Sequence, residues 1–425
     1  MDEIAKRENN AMRSEDKSAV LLVRESPGQP SDPYKMRELC GLSHAAGYRV
    51  LAEISQRRGR DHLFQMGRGK IEEALSYCPS KLIFYNPLSP SQVYNIKSEF
   101  GAQVLDRFNL ILEIFSSRAS TREAKMQVEL ARLSYDAPQV RNTLALKKRG
   151  EQPGFRGAGA YEQAMYHDIR SRMAKIRAEL STVEGMGQSR RLRRREQGFD
   201  LIALAGYTNA GKSTLLNSLT GSAVKAQDQP FTTLSPTTRA LEVLGRRVLL
   251  TDTVGFIDDL PHFLIKAFRS TLSEISEADL VLLVADISDP IELLRRKLIA
   301  SHKALWDCDV TSPIVTVLNK SDRLDEREAA EKVEMVSDLA PCPVLASAAT
   351  GQGLGILEEC LSQRLEPLPE HEIRLPYTSL GLSQLSRLYQ STDLVAVRYE
   401  EELIVRLRGR KEALARAGLY KALLE

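Results

Sequence analysis

The sequence predicts an α/β fold in four parts: a small parallel α/β domain, a long helical hairpin, a second and larger α/β domain built around a phosphate-binding loop, and a small α+β module. Three observations predict it. Short apolar runs alternate with helical patterns from Ala19 to Leu105, which is how strand–helix–strand units with a parallel sheet read. Met165, Ile169, Met173, Ile176, Leu180 and Val183 then recur at three- and four-residue steps, one apolar stripe along a long helix. Finally, the apolar run Leu201–Ala205 stops at Gly206 and a helix begins near Lys212, leaving Gly-x-x-x-x-Gly-Lys-Ser between strand and helix.

Composition sets the class. At 425 residues the chain is long for one domain, and about three are expected. It is 43% hydrophobic and 27% charged with a net charge of +3, a globular balance too nearly neutral for the whole chain to act as a nucleic-acid clamp. Five scattered cysteines (Cys40, Cys78, Cys308, Cys342, Cys360) form no C-x-x-C pair, which argues against a disulfide framework or zinc site and fits a reducing cytoplasm. The polar N-terminus lacks the apolar core of a signal peptide, and no run approaches the ~18 apolar residues of a membrane span. A cytoplasmic monomer is expected.

Taken in order, residues 1–17 read as a flexible tail. Residues 18–108 form the first α/β domain, with strands expected at Ala19–Val23, Tyr48–Ile54, Leu82–Tyr85 and Ala102–Leu105. Met66-Gly67-Arg68-Gly69-Lys70 precedes a helix there, either an anion site at the helix N-terminus or an ordinary turn. Residues 109–198 form the hairpin, broken by a loop rich in Gly and Pro between Gly150 and Gly159. Lys147, Lys148, Arg149 and Arg156 lie near that loop, and Arg190, Arg191, Arg193, Arg194 and Arg195 near the far end. They read as a solvated helix face or as a phosphate-contacting surface for RNA. Residues 199–365 form the second domain, Glu366-Pro367-Leu368-Pro369 a linker, and residues 373–425 the α+β module.

The second domain carries the chemistry. In Gly206-Tyr207-Thr208-Asn209-Ala210-Gly211-Lys212-Ser213-Thr214, backbone N–H groups at the start of a helix would wrap a nucleotide's phosphates. Lys212 would reach the terminal phosphates, and Ser213 would offer its hydroxyl to Mg²⁺. Downstream, Phe231-Thr232-Thr233-Leu234-Ser235 lies where a switch loop would close. Thr233 is the preferred second Mg²⁺ hydroxyl, with Thr232 the alternative. Asp252-Thr253-Val254-Gly255 follows a strand and would hold Mg²⁺ through water and meet the γ-phosphate with the Gly N–H. Asn319-Lys320-Ser321-Asp322 supplies an acceptor-only carboxylate for the N1–H and N2–H₂ donors of guanine, which adenine does not present. Ser347-Ala348-Ala349 would complete the base pocket. The set in this order defines a P-loop GTPase domain.

The wording GYTNAGKST, FTTLSPTTR and DTVGFIDDLPHFLIKAFRSTL, with GRGKIEEAL and DRFNLILEIFSSRASTREAKMQVELARLSYDAP upstream, closely resembles the HflX family. The resemblance covers most of the chain. It implies a GTP-hydrolysing switch that associates with the large ribosomal subunit, with ribosome splitting or rescue as its task. Where the family reads Gly-Arg-Gly-Pro-Gly-Glu, this chain has Arg156-Gly157-Ala158-Gly159-Ala160, without the Pro or the acid. Phe256 stands where many GTPases have a water-orienting Gln, so either a partner supplies that group or Phe256 packs beneath the switch. Slow turnover without a partner is expected, with Lys212 and Asn209 stabilising phosphate charge. Asn209 also suggests K⁺ beside the phosphates, as in related P-loops with Asn there. The rival readings are an RNA-processing or RNA-binding GTPase acting off the ribosome, and a P-loop ATPase or kinase, which would have no use for Asn319–Asp322.

Overall fold

The computed structural model describes residues 17–28, 30–150, 160–221, 231, 237–253, 255–258, 264, 267–268, 274–417 and 419, with residues 139, 142–150, 160–162, 183–192, 195 and 416 described by backbone alone. Two compact units result: Met1–Ala178 with Asp228–Leu234, and Glu179–Gln227 with Ser235–Glu425.

The first unit runs β1 (Ser18–Glu25), α1 (Pro33–Ala45), β2 (Arg49–Arg57), α2 (Arg68–Ser76), β3 (Lys81–Phe84), α3 (Pro90–Phe100), β4 (Val104–Asp106) and α4 (Arg107–Arg118). Its four strands order β2-β1-β3-β4, and every pairing is parallel. Val20, Leu22, Leu82 and Phe84 bury one face of the sheet with Ile71 of α2 and Ile96 of α3. Local chemistry starts the helices: Ser89 and Gln92 close a capping box on α3, and Asp106 caps α4.

Two long helices follow, α5 (Arg122–Gly150) and α6 (Ala160–Glu196). Val128, Leu130 and Ala131 of α5 are buried, as are Ile169, Met173, Ile176 and Leu180 of α6. Met165, expected in the same stripe, is 45% exposed, and the side chain of Val183 lies outside the described residues. The division between the two units falls inside α6, at 178/179.

The second unit contains β5 (Asp200–Gly206), α7 (Lys212–Thr220), β6 (Thr237–Val243), β7 (Arg246–Asp252), β8 (Leu280–Asp286), α8 (Ile291–Asp307), β9 (Ile314–Asn319), α9 (Glu326–Met335), β10 (Pro343–Leu345) and α10 (Leu354–Arg364). The sheet order is β10-β9-β8-β5-β7-β6, parallel throughout except for the antiparallel β6–β7 pair. Every residue of β5 and β8 is buried, as central strands covered on both faces require. Strand β6 has no such signal: it is a mostly exposed edge that exists because β7 gives it hydrogen bonds.

The same unit ends in a module of β11 (Glu370–Pro376), α11 (Ser379–Ser391), β12 (Asp393–Tyr399), β13 (Glu402–Arg408) and α12 (Lys411–Arg416). Its sheet is antiparallel in the order β11-β13-β12, and Ile373, Leu375, Leu403, Val405 and Leu407 alternate inward against Leu385, Leu388 and Leu414. The last helix runs Lys411–Arg416, with Ala417 at its C-cap.

Candidate nucleotide site

In a parallel α/β sheet, ligands sit beyond the carboxyl ends of the strands, and the register brings those ends together here. Leu204 of β5 pairs with Asp252 of β7, Gly206 with Val284 of β8, and Asp286 of β8 with Asn319 of β9. The loop from Gly206 to Gly211 begins and ends on left-handed glycines, φ 143° and 95°. A Cβ on Gly206 would stand 2.2 Å from the Val284 carbonyl oxygen, so only glycine lets β5 turn there. No side chain caps α7 at Gly211, and the first turn of such a helix points its N–H groups toward an anion.

The loop's polar groups are engaged with one another. Lys212 Nζ donates to the carbonyls of Gly206 (3.1 Å) and Tyr207 (3.0 Å), and Ser213 Oγ donates to Asp252 Oδ2 at 2.6 Å. Burial pushes the Lys212 ammonium down to about 8, against the pull of the Asp252 carboxylate. Thr253 Oγ1 donates to the Leu204 carbonyl at 2.6 Å, pinning the strand end.

The base-side loop is joined to the phosphate loop. Asn319 Nδ2 donates to the Ala210 carbonyl (2.8 Å), while its Oδ1 accepts from the Ala348 N–H (3.0 Å). Lys320, itself in a left-handed conformation, donates to the Asn209 carbonyl at 2.9 Å and pairs with Asp286 at 2.7 Å. Lys320 and the Ser288 groups hold the Asp286 carboxyl below its ordinary range, although burial opposes them. Ser347 Oγ donates to Asp322 Oδ1 at 2.5 Å, which orients the carboxylate. Ser321 donates its N–H to the Ala346 carbonyl at 3.2 Å.

Phe256 is 2% exposed, and its backbone is bonded to the loop on both sides: Thr208 N–H to the Phe256 carbonyl at 2.8 Å, and Phe256 N–H to the Gly206 carbonyl at 3.0 Å. Phe231 is also buried, and its ring meets Phe115 edge-on at 4.7 Å. Thr232, Thr233, Leu234, Ser235 and Val254 lie outside the described residues.

Arg194 pairs with Glu277 at 3.1 Å and Arg193 is exposed. Lys147, Lys148, Arg149, Arg190, Arg191 and Arg195 are helical, with side chains outside the described residues, and Arg156 lies wholly outside them. The cations of the 66–70 stretch are taken up by carboxylates, Arg68 by Glu72 and Glu99 and Lys70 by Glu73, which favours the ordinary turn. All five cysteines are free. Among the described residues no helix is long and apolar enough to cross a membrane, and no group of three or more His, Cys, Asp or Glu could hold a metal. A Mg²⁺ site of the expected kind needs no such group: Ser213 and Asp252 already place two oxygens, the hard ligands Mg²⁺ prefers, at one point.

Sequence reasoning passed over Asp286 and Asp258. Asp286 had a legible signal: a carboxylate at the carboxyl end of a wholly apolar strand is costly unless paired.

Comparison with known proteins completes the picture. Residues 201–320 match the family described as 50S ribosome-binding GTPase, residues 33–116 the GTP-binding GTPase N-terminal family, and residues 118–194 the GTP-binding GTPase middle region. A GTPase HflX of Thermococcus kodakarensis is 47% identical over 76% of this chain and 74% of its own length. One from Thermofilum pendens is 39% identical over 95% and 97%. A crystal structure of SsGBP in complex with GDP covers 82% of this chain and 98% of its own, with 28% identity and a TM-score of 0.51.

Proposed function

The chain belongs to the HflX family of GTPases and binds and hydrolyses GTP, and we propose that it runs this cycle on the large ribosomal subunit. The carrying observation is the match of residues 201–320 to a family described as 50S ribosome-binding GTPases.

In this reading Gly206–Thr214 cradles the phosphates, and Lys212 reaches the phosphate oxygens. Asp322 reads guanine, with Ser347 holding its carboxylate. Ser213 and Thr233 would hold Mg²⁺, with Asp252 reaching it through water; Mg²⁺ there would neutralise charge on the β- and γ-phosphate oxygens. Gly255 would offer its N–H to the γ-phosphate, and loss of that phosphate would release the switch. K⁺ at Asn209 would add a second cation.

Turnover without a partner is slow, because the buried Phe256 cannot orient the attacking water as a Gln would, and the ribosome supplies or orders the missing group. The task served is subunit splitting or rescue. GTPase rates measured with and without purified large subunits test the proposal, together with sedimentation in GTP-analogue and GDP states. Stimulation and co-migration in the GTP state are expected. Equal rates and no co-migration would overturn it, and retention of structured RNA alone would favour an RNA-processing role.

A further inference from the structure

Arg295, Arg296 and Lys297 are consecutive on α8, so their side chains leave the helix about 100° apart and each can reach a different element. Arg295 makes two bonds to Asp338, at 2.8 and 2.7 Å. Lys297 meets Asp289 at 2.6 Å and stands 5.2 Å from the centroid of the Tyr207 ring. Arg296 Nε meets Asp258 Oδ2 at 2.5 Å. Only the last two pairs bear on the phosphate loop.

Asp258 is 7% exposed, two residues after Phe256, and its N–H donates to the Tyr207 hydroxyl at 3.1 Å. Tyr207 belongs to the phosphate loop and is itself buried. The segment that starts at Gly255 is thus held to the loop at two successive points. The first is the Phe256 backbone, bonded to Gly206 and Thr208. The second is Asp258, bonded through its N–H to Tyr207 and through its carboxylate to α8. Gly255 is pressed against the loop as a result: a Cβ there would lie 2.9 Å from Lys212 Nζ and 2.9 Å from Thr208 Cγ2.

We propose that Arg296 is a positioning residue for GTP hydrolysis. Through Asp258 it fixes the segment that sets Gly255 beside Lys212, where charge on the γ-phosphate has to be met. The inference rests on the GTP site assigned above. Its physical basis is pre-organisation: donors aimed at developing charge help only if they do not have to reorganise during the reaction. Arg296 touches no phosphate in this scheme. It acts through Asp258, and Tyr207 transmits the hold to the loop.

The test is Arg296→Met, which keeps the aliphatic stem and removes the charge, beside Asp258→Arg and the double variant Asp258→Arg/Arg296→Asp. Single-turnover GTP hydrolysis and GDP affinity are measured on each full-length protein. GDP lacks the γ-phosphate, so a positioning role lowers the hydrolysis rate about tenfold and leaves GDP affinity within about twofold of wild type. The charge-swapped double variant should recover most of the rate. A rate unchanged in Arg296→Met, a parallel loss of GDP affinity, or a double variant as slow as Asp258→Arg would each overturn the inference. Failure of the wild-type protein to bind GTP would instead sink the site assignment on which it stands.

Discussion

Asn319 Nδ2 donates to the carbonyl of Ala210 at 2.8 Å, so the last residue of β9 closes the phosphate loop that begins at the end of β5. Asn319 is 2% exposed, and its Oδ1 accepts from Ala348 N–H. The phosphate-binding and base-reading loops are therefore one hydrogen-bonded structure.

Asn319→Ala should strand two buried backbone groups at a cost of about 1–3 kcal/mol each. Urea unfolding should show the loss of stability, and GDP affinity should fall with it. Gly211→Ala is expected to act on the same bond from the other side, since its Cβ would lie 2.2 Å from Asn319 Nδ2 at a φ of 95°.

Asp322→Asn should move preference from GTP to XTP. Hydrogen bonds to a charged acceptor contribute about 1.5–3 kcal/mol each, so GTP affinity should fall by roughly one to two orders of magnitude for each bond lost. The amide N–H₂ suits the xanthine carbonyl. Competition of labelled GDP by GTP and XTP checks this, and unchanged GTP affinity would exclude Asp322 as the base reader.

Nucleotide affinity should decline above about pH 8. With Lys212 pushed down to about 8, the free protein holds an ammonium below that pH and a neutral amine above it. Phosphate favours the ammonium, so binding above pH 8 must take up a proton, and affinity should fall by up to about tenfold per pH unit. Calorimetric titration in buffers of different ionisation enthalpy would detect the proton uptake. A flat affinity from pH 7 to 9 would contradict it.

Asp200→Ala should destabilise the second unit. Asp200 is 1% exposed and is shared by Arg246, at 2.5 Å, and by Arg410 at the start of α12. Removing it leaves two nearly buried guanidinium groups without that shared carboxylate, a loss of about 3–5 kcal/mol for a broken buried pair. A lower Tm and faster proteolysis of the linker at Glu366–Pro369 are expected.

K⁺ should raise the hydrolysis rate above that in Na⁺. Asn209 is exposed, in a left-handed conformation, with its carbonyl already accepting from Lys320. Equal rates in the two salts would remove Asn209 from cation binding.

By itself the sequence determined the parts whose causes are local. Turn glycines, the strand preceding Lys212, the carboxylate of Asp322 and the alternating apolar runs are each written within a few residues. That is why the α/β class, the GTPase domain and the presence of a C-terminal α+β module were legible. Tertiary structure decided what depends on a distant partner. Strand β6 is a strand only because β7 offers it hydrogen bonds. The burial of Phe256 and its backbone bonds to Gly206 and Thr208 come from packing that its neighbours in sequence do not announce. Asp258 and Arg296 are remote in sequence and carry no motif, and they meet because α8 packs beside the loop that holds Tyr207. A charge states its partner's sign, and only packing states its address.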